Sequence, residues 1–466
     1  STRQDTGLSD AEKAAAASAV GGTGSAAAAS MLKNKPGSAG VKGAEPPGAP
    51  KTKDVDASPH QPSTGRTTET QNPQKSHVES KVEDPIHAAT GHQFMNHRLL
   101  TLHGAADWPF TLIYHSGLLQ RGELGPAWTH QYGLRLDITP KNSQTEAEAS
   151  AFQPIVDVCW TPGRKNRFTH QGDGIYRSDD LDVNQDELTY TEQGWLYTAR
   201  SPRETYQFNL NGVLLRHTNK DGLSLDLVHD EEGKLQQLQD RVTGRMLTLD
   251  YTAEGNLAAV RDALREATFG YDSEGFLVRL TEPDGTITEM THDGEGRLMS
   301  LSEAGVVQFT NTYDEKYRII AQTDPSGVAG RMAYDTESHP GQTWTTVTNR
   351  LGQTRILVHD DALQLLEVQG EDGGITRYTY TSRGQMASAT NPLGETTTYV
   401  YDEEGHLIRE IDPLGHETEY HYTAHHQVAR ETDAEGGVTA YQYDEQQRLT
   451  EVTRPDGSTA KWTYTE

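Results

Sequence analysis

Between Thr397 and Ile411 the chain alternates in a way that predicts a β-hairpin. Thr397, Tyr399 and Tyr401 fall on one side of an extended segment and Thr398 and Val400 on the other. Such a period-two run of β-branched and aromatic residues suits a strand. Asp402-Glu403-Glu404-Gly405 follows, where aspartate can bond its own backbone and glycine can take a positive φ, which predicts a tight reversal. Leu407, Arg409 and Ile411 then share one face of a returning strand, and Asp412-Pro413-Leu414-Gly415 closes the unit with a second turn. Two strands of about six or seven residues and two turns fill the unit.

This unit is copied. Tyr380, Tyr401, Tyr422, Tyr443 and Tyr464 are each 21 residues apart. The same spacing links Tyr271, His292, Tyr313 and Tyr334. A four-residue insertion then leads to His359, which is 21 before Tyr380. Fourteen residues after the anchors come Gly373, Gly394, Gly415, Gly436 and Gly457, while Phe208, His229 and Tyr251 are early, uneven anchors. A fixed period near 20 is the signature of stacked repeats. Because an isolated hairpin of this size is unstable in water, neighbouring copies must supply its burial. The recurring tyrosines and glycines are therefore expected to serve packing and turn geometry. Tyr317, Ser338, Leu363 and His426 stand where a turn glycine is expected, so the turn tolerates drift. The last residues, Trp462 to Glu466, stop inside a copy, and the wall is expected to continue beyond 466.

The fold expected is all-β: hairpins of about 21 residues stacked over 201–466. Residues 137–200 read as a less regular β region. Residues 84–136 bring Trp108, Phe110, Tyr114, Trp128 and Tyr132 close together and read as a capping or plug-like segment. Residues 1–83 are rich in Ala, Gly, Ser, Pro and Thr, which predicts a flexible tail with a short helix from Ser9 to Val20. Hydrophobic residues make up only 33% of the chain, as expected of a thin wall that never fills a thick core, or equally of an extended, fully solvated solenoid. The net charge is −27. Residues 1–83 carry 10 Lys/Arg against 9 Asp/Glu, and the rest carries 31 against 59. That excess repels phosphates, so direct nucleic-acid binding is not expected, whereas a basic partner would be attracted. The single cysteine, Cys159, rules out an internal disulfide framework. No apolar run is long enough to predict a membrane span or a signal peptide.

Candidate chemistry is sparse. His421, His425 and His426 lie close together, but their spacing suits a helix while the region reads as hairpin, so no metal site is expected there. His292 and His359 are read as packing substitutes for anchor tyrosines. Carboxylate pairs such as Glu403-Glu404 and Glu231-Glu232 sit on turns, where they are solvated rather than poised for acid–base work. No nucleophile elbow, phosphate loop or zinc-protease motif occurs, and Cys159 beside Trp160 reads as a small buried hydrophobe. No catalytic residue, cofactor or metal is expected in this chain.

The recurring Tyr-Asp-x-x-Gly-x-Leu, as in Tyr271-Asp272-Ser273-Glu274-Gly275-Phe276-Leu277 and Tyr401-Asp402-Glu403-Glu404-Gly405-His406-Leu407, resembles the YD repeats of Rhs proteins. Asp84-Pro85 through Thr90-Gly91, Leu112-Ile113-Tyr114-His115-Ser116 and Leu124-Gly125-Pro126-Ala127-Trp128 resemble the Rhs opening, with Ile113 in place of a basic residue and Ala127 in place of a second glycine. The resemblance covers about 84–466. It implies the N-terminal part of a hollow, cocoon-like shell in a bacterial polymorphic toxin, made in the cytoplasm and secreted into a target cell. The cargo implied is a C-terminal toxin domain, with the remaining Rhs shell and an immunity protein as partners. Delivery is implied by type VI secretion, through a PAAR tip, a VgrG spike and an Eag-type chaperone. The family's self-cleaving Asp-Pro-x-Gly-Leu motif is not matched: Asp324-Pro325-Ser326-Gly327-Val328 and Asp412-Pro413-Leu414-Gly415-His416 lack the leucine and read as turns. The rival expectation is a carbohydrate-binding or adhesion module at a cell surface.

Overall fold

The computed structural model describes residues 81–82, 86–118, 121–139, 153–200, 203–327 and 329–464. The tail and helix expected before residue 81 lie outside them. The described residues are all-β, without a helix. The chain divides into two compact units, one of Pro62–Glu395 and one that contains Thr396–Glu466.

The hairpins of the second unit show the repeat most plainly. Its strands are Thr396–Tyr401, Leu407–Ile411, Glu417–Tyr422, Val428–Thr432, Val438–Tyr443, Leu449–Thr453 and Thr459–Lys461. Each pairs antiparallel with the next. Tyr401 opposes Leu407 across a register shift at Val400/Tyr401, and Tyr422 and Tyr443 sit at equivalent shifts. The cause lies in the turn. Asp402 Oδ1 accepts the N–H groups of Glu404 and His406, both at 2.9 Å, and Gly405 takes φ 92°. A reversal ending in a left-handed residue inserts one extra residue into one strand, which bends it and re-aims the anchor beside it.

Stacking rests on the anchor hydroxyls. Tyr422 donates to the carbonyl of Leu407 at 2.7 Å, Tyr443 to Val428 at 2.8 Å and Tyr464 to Leu449 at 2.8 Å. In the first unit, Tyr271 reaches Leu257, Tyr313 reaches Leu298, Tyr334 reaches Ile319 and Tyr380 reaches Leu365, at 2.7 to 2.9 Å. Each tyrosine thus stitches its strand to the hairpin before it. Tyrosine suits the position because its ring packs while its hydroxyl satisfies a carbonyl. The anchors are only partly buried. The deepest aromatic position lies two residues earlier, at Tyr378, Tyr399, Tyr420 and Tyr441, each with less than a tenth of its surface exposed.

A second inter-repeat contact accompanies the first. Five residues past several anchors stands a cation or imidazole that bonds its own turn aspartate and lies over the next anchor ring. Arg318 bonds Asp314 at 2.8 Å and covers Tyr334 at 4.4 Å. Arg448 pairs in the same way with Asp444 and Tyr464. His406 bonds Asp402 at 2.8 Å and stacks on Tyr422 at 4.5 Å.

Gly415 shows why the second turn keeps its glycine. Its φ is 84°, while a Cβ there would meet nothing within 4 Å, so backbone conformation and not crowding excludes other residues. Gly394, Gly436 and Gly457 have φ of 79–82° in equally open surroundings. At the other turn Tyr317, Leu363, His426 and Gln447 adopt φ of 60–64°, a cost the stacked context outweighs. The hairpin with Ser338 departs from this pattern. Its strands Ala329–Asp335 and Gln342–Thr348 pair without a register shift, and Gly341 takes the positive φ, so the inserted residues lengthen the hairpin.

The first unit begins its continuous sheet with Arg135–Thr139 beside Ile155–Cys159 and then Lys165–Gly172. From Ile175–Arg177 through Met386–Thr390, successive strands pair antiparallel. Arg135 also bridges Val213, and Leu136 N–H donates to Gly212 O at 2.9 Å, so the sheet's first strand returns against the approach to Leu214–Thr218 and is not left as a bare edge.

Removing one anchor hydroxyl tests the stitching. Tyr422→Phe should cost about 1 kcal/mol and loosen the wall locally. Hydrogen exchange should quicken within 407–422 and stay unchanged in the 271–298 hairpins.

Candidate functional site

The place where the chain does more than repeat itself is the aromatic segment between residues 86 and 134. Strands Phe94–His103 and Asp107–His115 form a long antiparallel hairpin, joined on its second edge by Trp128–His130. Its apolar residues, Leu100, Leu102, Trp108, Phe110, Leu112 and Tyr114, are buried in one cluster with wall residues such as Leu249, Phe269, Leu280 and Leu298. The segment therefore packs on the buried face of the repeats. No hydrophobic run in a hairpin could announce which repeats it meets. Polar contacts settle that.

At the hairpin's tip, Asp240 receives Trp108 Nε1–H at 2.9 Å and Ala105 N–H at 3.1 Å, along with Thr243 from its own turn. Arg245 and Arg265 donate to the carbonyls of His103 and Thr101. At the base, Leu298 N–H donates to Tyr114 Oη at 2.8 Å, Asn311 Nδ2 to Gln93 Oε1 at 2.7 Å, and Thr345 Oγ1 to Ala88 O at 2.7 Å. The hairpin thus lies across several successive repeats. Between tip and base, Glu123 accepts the hydroxyl of Tyr251 and pairs with buried His130, while its carbonyl accepts Leu257 N–H at 2.7 Å. Gly125 comes so close to Gly275 O that a Cβ would lie 2.6 Å away. That close approach, with φ 81°, requires glycine.

The electrostatics of this interface are those of a permanent seam. Burial alone would raise the Asp240 carboxyl, but hydrogen bonds from Thr243, Trp108 and Ala105 outweigh it and hold it at about 2. Burial keeps His92 neutral down to about 4. Burial and the neighbouring His92 keep His115 neutral down to about 3. His87 sits against His359, an anchor position without tyrosine, at 5.9 Å between ring centroids, and His292 packs against Phe276 at 5.7 Å.

Two further perturbed groups are held in packing contacts. Cys159 is buried with its thiol 3.2 Å from Asp137. Burial and that carboxylate push it up to about 12, the reverse of an activated nucleophile. Burial raises Asp186 to about 6, yet the Tyr197 hydroxyl and Arg200 N–H occupy its oxygens and make it a pin between strands. Glu403, Glu404, Glu231 and Glu232 are exposed on turns. Asp324 and Asp412 accept turn N–H groups at 2.9 and 2.8 Å. The anchor tyrosines recur along successive hairpins, where the hydroxyls of Tyr271, Tyr313, Tyr334, Tyr380, Tyr422, Tyr443 and Tyr464 bond backbone carbonyls. Sequence reasoning singled out the aromatic segment but missed Asp240 and Glu123, since one more acidic residue beside a turn carries no signal of its partner 132 residues away. It placed Tyr399 on its strand but missed that buried tyrosines recur two positions before the anchors with the same period.

Two outcomes follow for this seam. Asp240→Asn, which leaves the Trp108 and Ala105 donors without an ionised acceptor, should cost about 2–3 kcal/mol and open the 104–106 tip to protease. Acid should act earlier. His92 and His115 bind protons below pH 6.5 in the unfolded chain but resist them in the folded one, so stability falls as pH drops from 6.5 towards 4. The slope reaches roughly 3 kcal/mol per pH unit when both contribute. Denaturant midpoints measured across that range should show it, and His115→Gln should flatten it.

Three family models match the chain. A model described as RHS Repeat matches 359–396, 380–417, 401–438 and 422–459. Teneurin YD-shell matches 181–375, and a domain of unknown function, DUF6531, matches 83–149. Among curated proteins, the chain is similar to Double-stranded DNA deaminase toxin A of Burkholderia cenocepacia, 28% identical over 126 residues, which is 27% of this chain and 9% of that protein. It is also similar to Toxin protein Tse5 of Pseudomonas aeruginosa, 26% identical over 154 residues, 32% of this chain and 12% of that one. The matches thus span only about a tenth of either relative. Two solved TcdB2-TccC3 structures align with 84% and 82% of this chain, and with 26% and 24% of theirs, at 14% and 13% identity and TM-scores of 0.40 and 0.41. The repeat models follow one another without a break from 181 to 459, over the hairpins whose anchors and turns are described above, and the chain belongs to the Rhs/YD-repeat family.

Proposed function

We propose that this chain is the structural shell portion of a polymorphic toxin, a non-catalytic wall that encloses a C-terminal toxin domain until it is delivered to a competing bacterium. The observation that carries this reading is the packing of the 86–134 segment. A stack of YD repeats buries one face, and the chain fills part of that face with its own plug-like hairpin, fixed by Asp240, Glu123 and Tyr114. A wall so sealed by its own sequence serves containment better than surface recognition. The two curated relatives are toxins, which favours a toxin as the cargo.

The finer parts of the reading follow from the same family. The remaining Rhs shell would complete the container, and an immunity protein would guard the producer. Type VI secretion is the proposed route, with a PAAR/VgrG spike and an Eag-type chaperone as partners and the target cell as destination. No helix among the described residues is long and apolar enough to cross a membrane. In the proposed organisation, 1–83 is a leader tail, 84–136 the plug, 137–200 an irregular β region and 201–466 the shell wall. The anchors Tyr271, Tyr313, Tyr334, Tyr380, Tyr401, Tyr422, Tyr443 and Tyr464, with Gly394, Gly415, Gly436 and Gly457, build that wall. An adhesive reading would need tyrosines displayed to saccharide. The anchor hydroxyls that bond the preceding hairpin are already committed to backbone carbonyls.

The test is the native product, purified from its producer and analysed by intact mass with limited proteolysis. A longer shell co-purifying with a small C-terminal polypeptide, resistant to protease until the shell is unfolded, is the expected result. A product that ends at Glu466 and travels alone would remove the container, and saccharide-specific binding on a glycan array would put adhesion in its place.

A further inference from the structure

Two adjacent repeats depart from the pattern at positions that meet in space. In one copy, the residue five past the anchor is His406, where other copies carry Arg297, Arg318 or Arg448. In the next copy, the residue four past the anchor is His426, where Gly405 and Gly384 stand elsewhere. These positions touch in other pairs of repeats too: Arg297 lies 3.7 Å over the ring of Tyr317, and Gln427 Nε2 donates to Gln447 O at 2.7 Å. In the pair at 406 and 426 the same contact brings two imidazoles together. His406 Nε2 is 2.9 Å from His426 Nδ1, and Glu404 Oε2 is 3.2 Å from His426 Nδ1. One ligand atom from each of the three residues lies within 4.8 Å of the others.

We propose that Glu404, His406 and His426 form a zinc site that clamps one hairpin turn to the next. Two imidazole nitrogens and one carboxylate oxygen are a donor set that suits Zn²⁺ and disfavours Mg²⁺ or Ca²⁺. Ligands about 2.0–2.1 Å from a tetrahedral ion stand about 3.4 Å from each other, so the 2.9 and 3.2 Å separations need only a slight spreading. The orienting contact is also in place. Asp402 Oδ2 is 2.8 Å from His406 Nδ1. A carboxylate only accepts, so Nδ1 carries the proton and Nε2 keeps its lone pair for the ion. Stacking of His406 on Tyr422 fixes the ring plane. Glu404 is exposed, so water would supply the fourth ligand. His421 and His425, the neighbours of His426 in sequence, are not among these ligands. The partner of His426 comes from the preceding turn, 20 residues back.

The experiment is a calorimetric titration of Zn²⁺ into the metal-free chain, with bound zinc counted after desalting. The comparison is His426→Gly, which restores the glycine of sister turns and its left-handed backbone. Wild type should retain one zinc per chain and melt at a higher temperature with zinc than without. The variant should bind at least tenfold more weakly and show no such rise, while its metal-free melting temperature matches wild type. If His426→Gly alters folding, the exposed Glu404→Gln serves in its place, with the same tenfold criterion. Wild type that retains no zinc, or a variant that loses less than tenfold, overturns the site and leaves a plain imidazole–imidazole hydrogen bond.

Discussion

A hairpin with strands of five or six residues has one face to bury and nothing of its own to bury it against. The rest of this structure follows from that constraint. The anchor tyrosine is long enough to carry a hydroxyl back to the preceding hairpin. The residue five positions on lies over the ring that follows, and the extra residue at each bulge turns the anchor towards its neighbour. Stability in such a stack is a sum of nearest-neighbour contacts, so one worn copy weakens only its own interfaces. This is why a turn built on Leu363 or Gln447 at positive φ survives beside turns built on glycine.

The same constraint leaves an apolar face, and in the first unit the chain covers part of it with the 86–134 hairpin. Apolar burial there supplies the adhesion, but it has no direction along a surface of repeated leucines and phenylalanines. Direction comes from a few polar groups that meet particular wall residues: buried Asp240 with Trp108, buried Asn311 with Gln93, and half-buried Glu123 with Tyr251. A slip by one repeat would set Gln93 against Met290 or Met332 in place of Asn311 and strand its amide in a dry interface, which is costly.

The acidic character of the body has a local origin as well as a global effect. Turn after turn, an aspartate oxygen accepts two N–H groups ahead of it, as at Asp230, Asp272, Asp314 and Asp402. Asn209, Asn219, Asn349 and Asn391 perform the same task without charge. Turn geometry thus requires the oxygen and not the charge. The aspartates that also hold an arginine or histidine use both, whereas the others add mainly solubility.

The sequence by itself determined the unit and its period. Alternation fixed the strands. Asp-x-x-Gly fixed the reversal through local bonds and a left-handed φ, and the 21-residue return of tyrosine fixed the stacking, because all three act within one or two repeats. The clustering of Trp108, Phe110, Tyr114 and Trp128 marked a segment of different character for the same local reason. Only the tertiary structure decided where that segment docks, why Asp240 is buried, and that His426 meets His406 rather than its neighbours His421 and His425. Those contacts join residues up to 257 positions apart. A chain written in nearly identical copies offers many equivalent partners at that range, and only three-dimensional packing selects among them.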